Sequence, residues 1–397
     1  MRNTPKNKYT VCVVTGTRAE YGLLSPVLRK IQASEKLELN LVVTGAHLST
    51  LFGSTVKEIE ADGFQPAAQI DILKFKNTPR GVAETVGYAT MAFAKYFSEN
   101  RPHCVLVLGD RYEIYAVATA ASILNIPLAH ISGGDVTQGA QDEFFRHSIS
   151  KMAKLHFPSC DSSARRLQRM GEEPGRVFNV GALGDENIRN FETLTREELA
   201  ASLHIELKEP FALITYHPQT APGSAPPEKQ VEELLAALDA FPNMGLLFTK
   251  ANADAGGMVI NAMLDTYCEK RANASAHVSL GLRRYLSAMQ HCALVLGNSS
   301  SGVVEAPSFH RPVVNIGMRQ AGREVCENVI NCGINRAEIE AAIATACTPA
   351  FIQKAKRARS PYNGGNTSGK IVTTLERWLE SGALAGSKKF YEGKETV

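Results

Sequence analysis

Residues 105–147, VLVLGDRYEIYAVATAASILNIPLAHISGGDVTQGAQDEFFRH, decide the fold class of this chain. Two short apolar runs, at 105–108 and 126–131, are separated by a helical stretch, and each ends in polar residues that include glycine. Short apolar runs bounded in this way are typical of buried parallel strands. In an open parallel sheet, ligands bind beyond the carboxyl ends of the strands. The segment therefore predicts a ligand-binding sheet edge rich in charged side chains.

The same alternation of strands and helices extends in both directions from this segment. Residues 10–15 read as a first buried strand, and residues 211–216 restart the pattern after a polar helical stretch at 191–210. With 397 residues the chain is also too long for one ordinary core. We expect two α/β domains with doubly wound parallel sheets and a cleft between them as the default site. The charged or small residues after Ser381 are predicted to be unordered.

Composition excludes several classes of function. The net charge of +3 gives no indication of nucleic acid or an anionic membrane as a partner. Eight cysteines without a CxxC pair favour buried, reduced thiols, and no apolar run approaches the roughly 20 residues of a membrane span. The N-terminus lacks the apolar core of a secretory signal, so we expect a cytoplasmic protein. HExxH and GxGxxG are absent, so we expect neither a metal nor a nicotinamide cofactor.

Three strand ends outside residues 105–147 carry candidate ligand-binding groups. The segment 297–305, GNSSSGVVE, places hydroxyls and amides before a helix, which suits a phosphate, although helix capping alone would need one serine. His217 ends the strand at 211–216 and is either a satisfied loop histidine, a donor to a diphosphate or a catalytic acid. The turn after the first strand, with Arg18, is either an anion site or an ordinary connection. The residues of the proposed anion cup are Ser299, Ser300, Ser301 and Gly302, with Glu305 for a ribose diol.

The carboxylates of residues 105–147 are candidates for proton transfer. Asp110 follows Gly109 at a strand end, where a carboxylate has no capping role unless a helix starts at once. Acids in the first turn of the helix near 142 also have an ordinary explanation as partners of the helix dipole. Carboxylates that lie close together can divide into proton donor and acceptor. The set consists of Asp110, Asp135, Asp142 and Glu143, with Arg111 and Arg146 as candidate substrate-binding cations.

Taken together, these motifs resemble one family. TGTRAEYG, LGDRYE, GGDVTQGAQDEFFRHSISKMAKLHF, YHP, ANADAG, GNSSSGVVEAPS and NIGMRQAGRE occur in this order across residues 11–378. They are similar to the hydrolysing UDP-N-acetylglucosamine 2-epimerases of sialic-acid biosynthesis. The resemblance implies the GT-B fold, with two Rossmann-like domains and a last helix that crosses back onto the first. We expect an N-terminal domain of residues 1–187 joined by a C-terminal helix at 366–397, and a nucleotide-binding domain of residues 188–365.

The resemblance also implies a reaction in two steps. UDP leaves UDP-N-acetylglucosamine as the C2 proton is removed, which gives a 2-acetamidoglucal. Water then adds with the opposite configuration at C2, and the products are N-acetylmannosamine and UDP. The site must stabilise the departing diphosphate and supply a base together. The family also implies a homo-oligomer, most simply a dimer, that binds a small nucleotide sugar without a cofactor.

Carried over motif by motif, the resemblance assigns roles to individual residues. Asp110 and Asp142 match the acid and base carboxylates, with Glu143 beside them and Arg111 next to the sugar. The remaining assignments are Arg18 and His217 to the phosphates, Asn252 and Asp254 to the vicinity of the cleft, Ser299 and Ser300 to phosphate, Glu305 to the ribose, and Arg319 to the rim of the nucleotide site.

The chain departs from the family pattern at Ser132, where many relatives have glutamate. Serine is a poor base, so the base stays open between Asp110, Asp135 and Asp142. Three alternatives also stay open: a related epimerase acting on a UDP- or GDP-linked 2,4-diacetamido sugar of the legionaminic-acid type, a GT-B glycosyltransferase, and a nucleotide-sugar sensor without catalysis.

Overall fold

The computed structural model describes residues 8–50, 53–76, 78–137, 142–190, 192–219, 223–251 and 256–393. These residues form two compact units. The first consists of the chain up to Asp135, Asp142–Glu186 and the chain from Gly364 onward, and the second contains Asn187–Asn363. The first unit is therefore discontinuous in sequence. The domain boundaries expected from the sequence stay a prediction, since compactness does not show that either unit folds by itself.

The first unit is built on a six-stranded parallel sheet with the order β3-β2-β1-β4-β5-β6. Its three central strands are almost fully buried, because helices cover both faces of the sheet. Val13 of β1 pairs with Leu106 of β4, so β1 and β4 are neighbours where the strand order reverses. The strands are β1 (Tyr9–Thr15), β2 (Leu37–Thr44), β3 (Ala68–Ile70), β4 (Cys104–Leu108), β5 (Leu128–Ile131) and β6 (Leu155–Phe157).

Local sequence explains where the helices of this unit begin. Thr17 caps the first helix and Thr78 caps the third, which has proline in its first turn. The fourth helix is mostly apolar without a distinct polar face, as is typical of a helix with most of its residues buried. The helices are α1 (Arg18–Ala33), α2 (Val56–Ala61), α3 (Pro79–Glu99), α4 (Tyr112–Ile123), α5 (Asp142–Met152), α6 (Asp161–Arg169) and α7 (Leu183–Asn190), the last of which leads into the second unit.

The second unit repeats the arrangement with the strand order β12-β11-β10-β7-β8-β9, again all parallel. Here β7 and β10 are the neighbours at the reversal of strand order. The strands are β7 (Phe211–Thr215), β8 (Gly245–Thr249), β9 (Ala274–His277), β10 (Leu294–Gly297), β11 (Val313–Ile316) and β12 (Val329–Cys332). The helices are α8 (Arg196–Leu203), α9 (Pro227–Leu238), α10 (Gly257–Glu269), α11 (Gly281–His291), α12 (Ser300–Val304), α13 (Arg336–Ala346) and α14 (Pro349–Arg357).

The last helix, α15 (Thr367–Glu380), belongs to the first unit. Its buried residues Ile371 and Leu375 join the same apolar cluster as Leu24 and Leu28 of α1. The helix is shorter than the predicted segment 366–397, because Gly382 takes a left-handed conformation with φ of 69°.

The residues after α15 are anchored, so the prediction of an unordered tail is wrong for the part of it that the structure describes. The Lys154 ammonium donates to the carbonyls of Leu384 and Gly386, each at 2.9 Å. The Tyr391 amide donates to the Gly171 carbonyl at 2.9 Å. These contacts are formed by groups far apart in sequence, which composition alone does not reveal.

Four further sequence-based assignments differ from the structure: the pattern predicts strands at 177–180 and 277–280, and it predicts neither β12 nor α14. The predicted strand at 177–180 is only a single bridge between Val177 and His156. The strand predicted at 277–280 lies earlier in the chain, at β9.

Among the residues that the structure describes, no helix is both long enough and apolar enough to cross a membrane.

Candidate active site

The candidate residues of the first unit lie beyond the carboxyl ends of β1, β4 and β5, which are consecutive in the sheet. Gly16 and Thr17 follow β1, Asp110 and Arg111 follow β4, and Ser132 follows β5. This is the edge at which parallel α/β sheets bind ligands. The sheet topology therefore brings the predicted residues of the segment 105–147 to one side of the unit.

The turn after β1 is occupied by a carboxylate of its own helix. Glu20 Oε2 accepts hydrogen bonds from the amides of Gly16, at 2.8 Å, and Thr17, at 3.1 Å. The pKa of Glu20 is raised to about 7, mainly by burial; the nearby Arg111 opposes this shift and Glu113 contributes to it. The amides predicted to meet an anion are thus engaged in a capping box. Arg18 forms an exposed ion pair with Glu58 at 3.1 Å, and its role in binding phosphate stays a prediction.

Arg111 is held by a buried acid that the sequence analysis did not single out. Its Nε and Nη2 atoms each lie 3.2 Å from the carboxylate of Glu113, whose side chain is 2% exposed. The Arg111 side chain itself is 38% exposed. Glu113 therefore fixes the guanidinium while leaving part of it open to solvent at the sheet edge.

Asp110 is anchored through Arg146 of α5. The Arg146 side chain is 2% exposed, and its Nη2 donates to Asp110 Oδ2. Its Nη1 donates to the Asp135 carbonyl at 3.0 Å and lies 3.5 Å from Glu143 Oε2. Because the Asp110 side chain is still 24% exposed, the pair presents an oriented carboxylate to solvent. Arg146 thus holds the acids in place, and its predicted role in binding substrate stays a prediction.

The other acids of this set occupy different environments. Asp135 is buried, and its Oδ1 accepts from the hydroxyls of Ser159, at 3.1 Å, and Ser163, at 2.7 Å. This gives Asp135 a structural role in joining the loop after β5 to α6. Asp142 is the first residue of α5 and is partly exposed. It shares a helix face with Arg146, four residues on.

The loop after β5 has a backbone that few residues tolerate. Ser132 has φ of 62°, and Gly134 has φ of 81°. A Cβ atom on Gly134 would lie 2.4 Å from the Ser163 carbonyl oxygen, so only glycine fits there.

His130 of β5 contacts the loop that follows β4. Its Nε2 lies 2.7 Å from the Gly109 carbonyl oxygen, and burial lowers the pKa of His130 to about 4. A neutral, buried histidine therefore helps to place Asp110.

In the second unit, His217 follows β7 and is clamped by Asn298, which follows β10. Asn298 Oδ1 accepts from the His217 amide at 2.7 Å, and Asn298 Nδ2 donates to the His217 carbonyl at 2.8 Å. Burial, aided by the charge of Arg319, lowers the pKa of His217 to about 3. The imidazole is thus neutral near pH 7, and it can donate a hydrogen bond to phosphate but is not a cationic acid.

The serine segment forms a network of hydroxyls. Ser299 caps α12, and its Oγ lies 3.0 Å from Ser301 Oγ, which also bonds to the Tyr285 hydroxyl. With five residues, α12 is too short for a sizeable dipole, so amides and hydroxyls must provide any phosphate binding. Gly302 packs close to Val313, since a Cβ atom added to Gly302 would lie 3.4 Å from the valine side chain.

The remaining candidates of the second unit lie around this segment. Ser300 is exposed, and Glu305 follows α12, where burial raises its pKa to about 7. The Arg319 guanidinium donates to the Asn298 carbonyl at 3.1 Å. Asn252 and Asp254 lie outside the residues that the structure describes, and their roles stay predictions. In chemical terms, this unit offers hydroxyls, a neutral imidazole and an arginine, which suit a diphosphate.

A family model described as UDP-N-acetylglucosamine 2-epimerase matches residues 29–376 of the chain. The chain belongs to this family. The resemblance found from the motifs of the sequence is therefore confirmed.

Three curated relatives are similar to this chain over most of their length. A Campylobacter jejuni protein named GDP/UDP-N,N'-diacetylbacillosamine 2-epimerase (hydrolyzing) is 42% identical over 83% of this chain and 85% of its own. The Escherichia coli polysialic acid biosynthesis protein P7 is 35% identical, covering 94% of each chain. A Legionella pneumophila UDP-N,N'-diacetylbacillosamine 2-epimerase (hydrolyzing) is 34% identical over 92% of this chain and 95% of its own.

A solved structure of the family shows the same fold. The UDP-GlcNAc 2-epimerase of Neisseria meningitidis bound to UDP-GlcNAc matches with a TM-score of 0.79 at 19% identity, over 93% of this chain and all of that one. The prediction of a GT-B fold with two Rossmann-like parallel sheets is thereby confirmed.

Sequence reasoning missed several residues that shape this epimerase site. Glu20 and Glu113 lie inside the motifs TGTRAEYG and LGDRYE, and Asn298 lies inside GNSSSGVVE, so their presence in the motifs was the available signal. Tyr285 and His130 lie outside the loops, on α11 and β5. Their contacts with Ser301 and Gly109 join residues 16 and 21 positions apart, which no local pattern indicates.

Proposed function

We propose that the chain is a hydrolysing 2-epimerase of a UDP- or GDP-linked 2,4-diacetamido sugar. The observation that carries the proposal is the anchored, partly exposed carboxylate of Asp110 at the binding edge of a chain from this epimerase family. The choice of sugar is supported by two relatives, at 42% and 34% identity, that are named as diacetylbacillosamine 2-epimerases. A 2,4-diacetamido sugar linked to UDP or GDP therefore replaces UDP-N-acetylglucosamine, which the motifs predicted, as the first candidate substrate.

The proposed reaction has two balanced steps. In the first, a carboxylate takes the proton from C2, a double bond forms between C1 and C2, and the C1–O bond breaks with its electron pair going to the nucleoside diphosphate. In the second, water supplies a hydroxyl to C1, and a proton returns to C2 on the opposite face. The products are the free sugar epimerised at C2 and the nucleoside diphosphate.

The residues divide this chemistry between them. In the first unit, Asp110 and Asp142 are the proton-transferring pair, Glu143 lies beside them, and Arg111 binds the sugar. Asp135 is left out of the pair because its carboxylate is engaged by two serine hydroxyls. The second unit stabilises the leaving group, since hydrogen-bond donors aimed at developing charge lower the barrier. Its groups are His217, Ser299, Ser300 and Arg319, with Glu305 for the ribose.

The absence of a carboxylate at position 132 fits this division. Ser132 has a left-handed backbone, and it leaves Asp110 and Asp142 as the proton carriers of this edge. The reaction needs one base and one acid, and two carboxylates are sufficient for both tasks.

UDP-N-acetylglucosamine is the second candidate substrate, with N-acetylmannosamine as its product. It is favoured by the 35% identity to the polysialic acid biosynthesis protein P7, which covers more of the chain than the first bacillosamine relative does. Both candidates react at C1 and C2 and release a nucleoside diphosphate, so they share every residue role given above.

The test is to incubate the purified protein in D2O with UDP-N,N'-diacetylbacillosamine, its GDP counterpart, or UDP-N-acetylglucosamine, each alone, and to follow products by NMR. We expect free nucleoside diphosphate together with a C2-epimerised sugar that carries deuterium at C2. The highest kcat/KM should be found with a diacetamido sugar.

Other outcomes separate the alternatives. Preference for UDP-N-acetylglucosamine would select the second candidate. Release of nucleotide without deuterium at C2 would exclude elimination, and turnover only with an added acceptor would indicate a glycosyltransferase. Binding of the nucleotide sugars without any turnover would indicate a sensor.

A further inference from the structure

Asn298 connects three loops of the second unit while being fully buried. Its side-chain amide bonds to both backbone polar groups of His217, at 2.7 and 2.8 Å. Its own backbone carbonyl accepts from Arg319 Nη1 at 3.1 Å and from Gln320 Nε2 at 2.9 Å. The next residue, Ser299, opens the serine segment. Asn298 thus ties the loop after β10 to the loop after β7 through its side chain, and to the loop after β11 through its backbone carbonyl.

Only an amide satisfies this arrangement. The His217 amide needs an acceptor and the His217 carbonyl needs a donor, and asparagine provides both on one rigid group. An aspartate of the same shape keeps the acceptor but loses the donor. An alanine leaves both backbone groups of a buried residue unpaired, which is costly.

We propose that Asn298 is a positioning residue that holds His217 and the serine segment in register so that both meet the diphosphate of the nucleotide. The inference rests on the proposed function, because it assumes that these groups bind the leaving group. Asn298 itself has no exposed surface and does not touch the substrate. It acts through groups that must be placed to within about 0.5 Å to be effective.

The position of Asn298 explains why its effect should be specific to phosphate. The residues it links, His217, Ser299 and Arg319, are all candidates for the phosphate region. The ribose candidate is Glu305, which follows α12. Its backbone amide donates to the Ser301 carbonyl at 2.9 Å rather than to Asn298. Loss of the Asn298 amide should therefore weaken binding of the diphosphate more than binding of the nucleoside.

The test compares Asn298→Ala and Asn298→Asp with Asn328→Ala, using UDP and uridine as probes of the whole chain. Asn328 is a matched control, since it is also fully buried in the second unit and donates through Nδ2 to the Arg311 carbonyl, at 2.7 Å. It precedes β12, at the opposite edge of the sheet. Affinities are measured by calorimetry for UDP and by ligand-observed NMR for uridine, and thermal unfolding is recorded for each variant.

We expect UDP affinity to fall about tenfold or more in both Asn298 variants, with uridine affinity within about twofold of the wild type. Asn328→Ala should lower the unfolding temperature without changing UDP affinity. Equal losses of UDP and uridine affinity, or unchanged UDP affinity in a folded Asn298 variant, would overturn the proposal. Asn298→Asp keeps the shape of the side chain and provides the test if Asn298→Ala does not fold. If the wild type binds GDP and not UDP, GDP and guanosine replace UDP and uridine as probes; failure to bind either diphosphate would count against the proposed function instead.

Discussion

Asp110 is the residue on which the proposed proton transfer depends most. We expect Asp110→Asn to lower turnover at least about a hundredfold, the usual scale for a general acid or base, because an amide cannot take the C2 proton. UDP affinity should be largely kept, since Asp110 is assigned to proton transfer and other residues are the candidates for binding phosphate. Turnover is measured by release of nucleoside diphosphate, and affinity by calorimetry.

Asp71 provides a matched control for this substitution. It directly follows β3 at the same edge of the same sheet, and its side chain is about half exposed and paired with Lys74. Asp71→Asn should turn over like the wild type. If Asp110→Asn also retained normal turnover, Asp110 would have no part in the reaction. Thermal unfolding of each sample separates loss of catalysis from loss of the Asp110–Arg146 pair.

Tyr285 orders the serine segment through a hydroxyl that sequence alone did not implicate. We expect Tyr285→Phe to weaken UDP binding about three- to tenfold, the usual effect of one hydrogen bond, because Ser301 keeps its contact with Ser299 but loses the one with the tyrosine hydroxyl. The ring and its packing remain. Affinity is measured by titration calorimetry.

Tyr267→Phe serves as the control for the Tyr285 substitution. Its hydroxyl donates to Asp239 at 2.8 Å from α10, so its removal also costs one hydrogen bond in the second unit. UDP affinity should not change in this variant. An identical UDP affinity in Tyr285→Phe and the wild type would show that the hydroxyl network is not needed for phosphate binding.

At the scale of elements, α5 is fixed at its carboxyl end by the chain that follows α15. The Lys388 ammonium donates to the carbonyls of Lys151 and Ala153, at 2.7 and 2.8 Å, and pairs with the fully buried Glu172 at 2.6 Å. A cation at this end of a helix satisfies its last carbonyls and complements its dipole. The helix that carries Asp142 and Arg146 is thus secured from the C-terminal segment.

We expect Lys388→Met to lower the free energy of unfolding by about 1–3 kcal/mol, because it leaves carbonyls and a buried carboxylate without one partner. Urea denaturation followed by far-UV circular dichroism measures the change. Lys389, which is exposed, gives the control variant Lys389→Met, for which no change is expected. Equal stability of the two variants would show that the Lys388 contacts do not stabilise the unit.

The sequence predicted those elements whose residues are buried on both faces. The central strands β1, β4, β7 and β10 are continuous apolar runs, so their ends, and with them Asp110, His217 and Ser299, could be located without a structure. Edge strands lack this signal. The strand β9 reads ASAH and is only partly buried, and β12 is similar, which is why one was misplaced and the other missed.

The contacts that support the site could not be predicted, for a different physical reason. Asn298 and His217 are 81 residues apart, and Lys388 and Ala153 are 235 apart. Local propensity and periodicity describe neighbours within a few turns or one strand, whereas these bonds depend on which loops the tertiary fold brings together. The residues that face ligand were therefore easier to predict than those that hold them.

At the scale of the whole molecule, buried ionisable groups give stability two opposing dependences on pH. Burial lowers the pKa of His47 and His130 to about 4 from an ordinary 6.5, so the unfolded chain binds more protons and stability falls as the pH drops below 6.5. Burial raises the pKa of Glu20 to about 7 from 4.5. The folded state then binds the extra proton, and this contribution is lost as the pH rises from 4.5 through 7.

Glu20→Gln isolates the second effect. Glutamine keeps an acceptor for the amides of Gly16 and Thr17 but does not ionise. We expect the free energy of unfolding of the variant, relative to that of the wild type, to rise by about 1–3 kcal/mol from pH 5 to pH 8. Urea denaturation at both pH values measures this change. Glu35→Gln, at an exposed carboxylate of the same unit, should show no such gain. A pH dependence identical to that of the wild type would contradict a buried, protonated Glu20.

The discontinuity of the first unit has a consequence for how the chain is made. A ribosome releases Asn187–Asn363, which contains all the described strands of the second unit, as one uninterrupted stretch, so these strands are available before synthesis ends. The first unit has its sheet early, but its apolar cluster includes Leu379 and Leu384. Its surface along α1 therefore stays uncovered while roughly 180 more residues are translated. A nascent chain stalled in that interval would expose this surface to chaperones, proteases and other nascent chains.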